Sequence, residues 1–243
     1  MRARPTLALV AVAAYLAALL WADRYVGLAG QLLLGLVTVL ALVVALRAVS
    51  PERRAQTLVV VAVATCGELI GSIVWGLYTY RLENLPAFVP PAHGLVYLGG
   101  VALAGLAAGR ERLLVAGALV AVLAWGVAGV TVLPREDLGG LLGALLLAVF
   151  LLRGRAPATY AGVFAVVAAL ELYGTAIGTW RWADVAPGTS ITQGNPPSGI
   201  ASGYVFFDIA ALALAPVALT LIRRVRRSRG APGAPLPEPA RSG

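Results

Sequence analysis

Residues 67–80 read "GELIGSIVWGLYTY", and residues 170–182 read "LELYGTAIGTWRW". Each places a glutamate, Glu68 or Glu171, inside a long apolar run. Each follows it with a glycine three residues on, then serine or threonine, then two aromatic residues spaced by two. A run of about 20 apolar residues is long enough to cross the ~30 Å hydrocarbon core of a bilayer as a helix. A charged side chain at its centre costs at least ~2.5–3.5 kcal/mol on insertion scales. These two stretches therefore point to the fold class and to the first candidate residues together.

The rest of the chain reads the same way. Its 243 residues are 60% hydrophobic and 12% charged, against about 25% charged in a soluble domain. Eight apolar segments stand out, at roughly 6–22, 28–47, 56–79, 94–109, 113–133, 138–152, 158–180 and 200–222. Lipid offers the backbone no hydrogen bonds, so each is expected to be a helix. The expected class is all-α, a polytopic protein of eight transmembrane helices. The single cysteine, Cys66, cannot form an internal disulfide.

Charge sets the orientation. The net charge is +8, and every basic residue is arginine. With the N-terminus inside, fifteen arginines fall in cytoplasmic segments and four (Arg24, Arg81, Arg135 and Arg181) fall outside. That asymmetry is the positive-inside pattern of a plasma-membrane protein with both termini cytoplasmic. It also accounts for the basic charge without a nucleic-acid partner; the expected partner is the bilayer. The first segment, behind Arg2 and Arg4, has the look of a signal peptide, but the repeat described next requires it as a helix.

Glu68 and Glu171 are 103 residues apart. Each stretch leads into a loop with two prolines and a glycine, "VPPAHGLVYL" (89–98) and "NPPSGIASGY" (195–204), with a one-residue gap between glutamate and aromatics. The expectation is two parallel four-helix repeats, residues 1–110 and 111–227, related by an axis along the membrane normal. A Pro/Gly-rich cytoplasmic tail, 228–243, is expected to be disordered.

Taking helix 3 to residue 79 sets Glu68 about 18 Å from its outer end, near the midplane, with Glu171 placed similarly. Burial there favours the neutral carboxyl, which can donate a proton. Helical spacing puts Glu68, Ser72, Trp75 and Thr79 on one face, and Glu171, Thr175, Gly178 and Trp182 on another. Gly71 and Gly174 are expected to admit a neighbouring helix. Tyr78, Tyr80, Trp180 and Trp182 read as interfacial anchors, or as the rim of a cavity that stacks on a ligand. His93, the only histidine, opens helix 4 as a polar cap or a proton relay; its counterpart in the second half is Ser198. Asp208 is a third intramembrane acid with Tyr204 one turn above it, and no acid matches it in helix 4. Helix-bridging hydrogen bonds are the plain alternative for all three acids. No metal-ligand spacing, nucleotide loop or nucleophile motif is present, so neither a metal nor a cofactor is expected.

The Glu-x-x-Gly pattern, the helix end "WGLYTY" and the following proline loop resemble multi-pass carotenoid-biosynthesis proteins of the membrane hydratase type. They are also similar to small actinobacterial integral membrane proteins of unassigned function. The resemblance covers about 30 residues around each glutamate. It implies an acid that protonates an isoprenoid double bond and aromatic rings that steady the carbocation. The leading expectation is an intramembrane enzyme of hydratase or isomerase type on an isoprenoid or other lipid-like molecule. Its catalytic candidates are Glu68, Glu171, Asp208 and His93. Ser72, Trp75, Tyr78, Tyr80, Thr175, Trp180, Trp182 and Tyr204 would contact the substrate. A proton-coupled transporter or channel and a non-catalytic assembly partner are the alternatives; oligomeric state is left open.

Overall fold

Apolar runs bounded by capping and breaking residues become the helices. The computed structural model describes residues 3–230. In chain order these form α1 (Ala3–Asp23), α2 (Leu28–Arg47), α3 (Pro51–Glu68), a π-helical turn (Leu69–Val74), β1 (Tyr78–Tyr80), α4 (Val89–Leu106), α5 (Glu111–Thr131), α6 (Leu138–Arg153), α7 (Pro157–Ala176), β2 (Trp180–Trp182) and α8 (Ala201–Gly230). Local signals set several ends. The Ser50 hydroxyl accepts from the Arg53 amide at 3.2 Å, and Pro51 occupies the first turn of α3. The Asp137 carboxylate accepts from the Gly140 amide at 2.9 Å at the start of α6.

Six of the helices are long and apolar enough to cross a membrane; α6 and the apolar part of α8, Ala201–Val217, are shorter. Leu32, Leu33, Leu36 and Leu40 on α2 and Leu145, Val149 and Leu152 on α6 are exposed, as expected of a lipid-facing surface. The described chain is thus helical, with apolar helices of membrane-spanning length and a small ribbon at one end. Residues 228–230, expected in the tail, continue α8, and 231–243 lie outside the described residues.

At the centre, α4 crosses α7 with almost no space between them. A Cβ at Gly162 would overlap the Gly100 carbonyl, and one at Gly100 would lie 2.7 Å from the Val163 backbone. Small residues let two helix backbones approach this closely. α3 packs on α8 as α4 packs on α7, and α2 and α6 lie against α4 and α8. All four connections that hold Arg24, Arg81, Arg135 and Arg181 lie at one end of the bundle. Arg81 there donates to the Asp23 and Val26 carbonyls, and Arg135 to the Trp182 and Ala183 carbonyls.

Three helix boundaries correct the sequence reading. The third segment stops at Val74, not 79, and the seventh at Ala176, not 180; the fourth begins at Val89, not 94. The aromatic pairs are not helix ends. They are two strands that pair antiparallel in the register Tyr78↔Trp182, Thr79↔Arg181, Tyr80↔Trp180. A glycine with positive φ stands two residues ahead of each strand: Gly76 at 75° and Gly178 at 77°. There the chain leaves its helix by a turn that disfavours any side chain.

Candidate functional site

The ribbon turns its rings down onto the two glutamates. The Tyr78 and Tyr80 hydroxyls donate to Glu68 Oε2 at 2.7 and 2.8 Å. The Trp180 and Trp182 indole N–H groups donate to Glu171 Oε2 at 2.9 and 3.2 Å. Each acid is thus gripped by the aromatic pair of its own stretch. Tyr78 and Trp182 lie with ring centroids 4.5 Å apart, so the two grips touch across the ribbon. Burial, reinforced by the neighbouring Glu68 charge, raises both ribbon tyrosines above the ordinary phenol range and keeps them as donors.

The conserved spacing of the two stretches within this chain now has a physical meaning. Gly71 and Gly174 seat aromatic rings rather than a neighbouring helix. A Cβ at Gly71 would lie 3.2 Å from the Tyr78 ring, and one at Gly174 would overlap the Trp180 ring. The one-residue gap between the stretches falls between Glu68 and Gly76, where the π-helical turn lies. A π turn is how a helix absorbs an inserted residue, and such turns recur at functional sites. It restores the register, so both aromatic pairs arrive at their glutamates.

His93 lies in the first turns of α4 and is 5% exposed. Its Nδ1 lies 2.9 Å from the Val89 carbonyl oxygen, which accepts only, so Nδ1 carries a hydrogen. Its Nε2 lies 3.2 Å from Glu68 Oε1, without the alignment of a formed N–H hydrogen bond. The ring stacks on Tyr204 at 5.4 Å and 19°. With Nδ1 committed, one proton serves the Nε2–Oε1 contact. With that proton in place the pair is imidazolium with carboxylate or imidazole with carboxylic acid, neutral overall in both forms.

These groups line a cavity of about 360 Å³ between α1, α3, α4, α6, α7, α8 and the ribbon. Glu68, Glu171, His93, Tyr78, Tyr80, Trp180, Trp182 and Tyr204 all border it, beside Leu16, Leu19, Leu20, Val96 and Phe207. An apolar cavity of this size with a few converging polar groups is the usual form of a small-molecule site. Among the described residues no arginine borders it.

Other expected site residues lie elsewhere. Ser72, Trp75 and Thr175 are not part of the cavity wall. The face drawn for Ser72 and Trp75 assumed α-helix to residue 79, but α3 turns to π-helix directly after Glu68. Trp75 is 48% exposed and donates its indole N–H to the Pro187 carbonyl. Thr175 donates back to the Glu171 carbonyl of its own helix at 2.7 Å. Asp208 is buried, 2% exposed, but does not border the cavity. Its Oδ2 has no hydrogen-bond partner, and the cation it feels is Arg53, whose guanidinium donates to the Tyr97 hydroxyl at 2.8 Å near the other end of α3. Both glutamates lie nearer the ribbon end of their helices than the middle: six residues before Val74 and five before Ala176.

The sequence reading missed the anchors that hold the ribbon over the cavity. Asp137, 1% exposed, accepts from the Gly194 and Ser198 amides at 2.6 and 2.7 Å as well as from Gly140. Asp23 accepts from Gln31 at 2.7 Å, and Asn84 donates to Gln31 at 2.8 Å. The signal available was the pairing of each acid with a helix boundary and, for Gln31, an amide inside an apolar run. Among the described residues no cluster of histidine, cysteine, aspartate and glutamate is arranged to hold a metal. Compared with family models, curated proteins and solved structures, the chain matches none.

Proposed function

We propose that this protein is an integral membrane enzyme that performs acid–base chemistry on an isoprenoid or other lipid-like substrate held in the ribbon-capped cavity. The observation that carries the reading is the Glu68–His93 dyad at 3.2 Å in an otherwise apolar, aromatic wall. Its single shared proton can pass from His93 Nε2 to a substrate atom and be recovered from a neighbouring one. Buried general acids and bases of this kind contribute about 10²–10⁴-fold. Tyr78 and Tyr80 stay protonated and fix the Glu68 carboxyl, so the histidine is the mobile partner. Glu171 holds the polar part of the substrate, and the leucines and Val96 take its apolar part. Asp208 has no step in this scheme.

The arginine distribution supports cytoplasmic termini in the plasma membrane, and the matched stretches support two related four-helix halves with α6 and α8 as full spans. In a Cys66→Ser background, a cysteine at exposed Ser190 should react with an impermeant thiol reagent added outside, and one at exposed Arg155 should not.

The catalytic test is the lipid profile of cells that carry Glu68→Gln or His93→Gln at expression matched to wild type. Both variants keep hydrogen-bonding capacity and remove the transferable proton, so loss of product with normal protein levels is expected. A wild-type profile from both would overturn the reading and leave the polar cluster as packing. A proton-coupled transporter is favoured by one feature, the break from α- to π-helix at the level of Glu68. Purified protein in liposomes without a proton gradient separates the two: an enzyme converts substrate there, and a transporter only equilibrates it.

A further inference from the structure

The two glutamates receive the same grip on Oε2 and differ in what meets Oε1. At Glu68, His93 supplies a nitrogen at 3.2 Å. At Glu171 both indole bonds fall on Oε2, which leaves Oε1 for another partner. The second stretch has no histidine to offer. Its counterpart residue, Ser198, directs its amide to Asp137. Glu171 is 4% exposed and borders the cavity.

Charge bookkeeping follows from this geometry. The ionisable groups around the cavity are Glu68, His93, Glu171, Tyr78, Tyr80 and Tyr204. The Glu68–His93 pair is neutral in either proton arrangement, and the tyrosines are neutral donors. A charge on Glu171 is therefore the one that nothing in the wall balances. The rings of Trp180, Trp182, Tyr78 and Tyr204 surround it, and the faces of such rings attract cations.

From these observations we infer that the cavity takes a ligand with a protonated amine, whose N–H donates to Glu171 Oε1 as the His93 ring nitrogen faces Glu68, and whose apolar portion lies along Leu16, Leu19 and Leu20. The inference rests on the cavity being the substrate site, and it narrows the lipid-like substrate to one that carries a basic nitrogen. Hydrophobic contact alone would accept the neutral alcohol of the same shape equally well.

Three probes of one shape test it: phenylbutylamine, phenylbutanol and phenylbutyrate, titrated into the purified protein in nanodiscs and followed by tryptophan fluorescence. The face of an aromatic ring attracts a desolvated cation, so the amine should bind at least about tenfold tighter than the alcohol, and the carboxylate weakest. Glu171→Gln should erase the amine's advantage over the alcohol. Asp208→Asn, at a buried acid outside the cavity wall, should leave the amine's advantage unchanged. The wild-type ratio decides even where a variant folds poorly. Equal binding of alcohol and amine would overturn the cationic ligand while leaving the cavity as a ligand site. Preference for the carboxylate, an undiminished amine preference in Glu171→Gln, or no binding of any probe would overturn it too.

Discussion

The Glu68 stretch and the Glu171 stretch follow one plan and part at three points. In both, a helix carries the acid, a glycine one turn later seats an aromatic ring, and a positive-φ glycine releases a strand whose two ring tips return to the acid. The first stretch uses phenols and the second indoles. The first needs a π turn and the second stays α-helical. The first places His93 against its acid, and the second places Asp137-bound backbone in the corresponding loop. The shared plan is the part that geometry requires, since a buried acid must be satisfied. The differences lie where chemistry can be varied without loosening the cap. One half sets a histidine nitrogen against its acid, and the other leaves one oxygen of its acid to the cavity.

The sharpest way to break this comparison is to remove each acid. Glu68→Leu strands two phenol hydroxyls and His93, and should cost ~4 kcal/mol or more. Glu171→Leu strands two indole N–H groups and should cost about 2–3 kcal/mol. Thermal melting of the two variants in one detergent should rank them in that order; the reverse order would mean that His93 contributes nothing at Glu68.

Next come the ring seats. Gly174→Ala drives a methyl into the buried Trp180 ring, and should cost ~1–3 kcal/mol. Gly71→Ala meets the Tyr78 ring at 3.2 Å, a contact that can relax by a few tenths of an ångström, and should cost less. Equal losses, read by the same melting curves, would mean that the two rings are not held alike.

A third variant sharpens the comparison. Deleting Ile73, an exposed residue of the π turn, gives the first stretch the spacing of the second. The helix should become regular, with both tyrosines still on Glu68 and only a modest loss of stability. Unfolding on this deletion would show that the π turn is needed for more than register.

The smallest effect is alkaline. Tyr78 and Tyr80 ionise in the unfolded chain near pH 10, and later in the folded protein, where burial and Glu68 raise them. Their raised folded-state values contribute stability that is fully present below about pH 10 and is lost as the pH rises through the folded values. Melting temperature should fall above that point, and less steeply in a Tyr78→Phe, Tyr80→Phe variant. An identical alkaline slope in the two proteins would remove the phenols from this account.

By itself the sequence determined that the chain is helical and apolar, where the helices run to within a few residues over most of the chain, and that Glu68 and Glu171 are anomalies set in matching surroundings. Those features are local: an apolar run in lipid must satisfy its own backbone, and it does so as a helix whatever its neighbours are. Only the tertiary structure decided that Tyr78–Tyr80 and Trp180–Trp182 are strands. Three residues carry too little periodicity to reveal one, and each strand exists because the other, about a hundred residues away, pairs with it. The same distance in sequence hid the turning of the rings onto the acids, the meeting of His93 with Glu68, and the exclusion of Ser72, Trp75, Thr175 and Asp208 from the cavity. A helical wheel drawn past Val74 has no helix beneath it, and which way a buried acid faces is set by the donors that other elements bring to it.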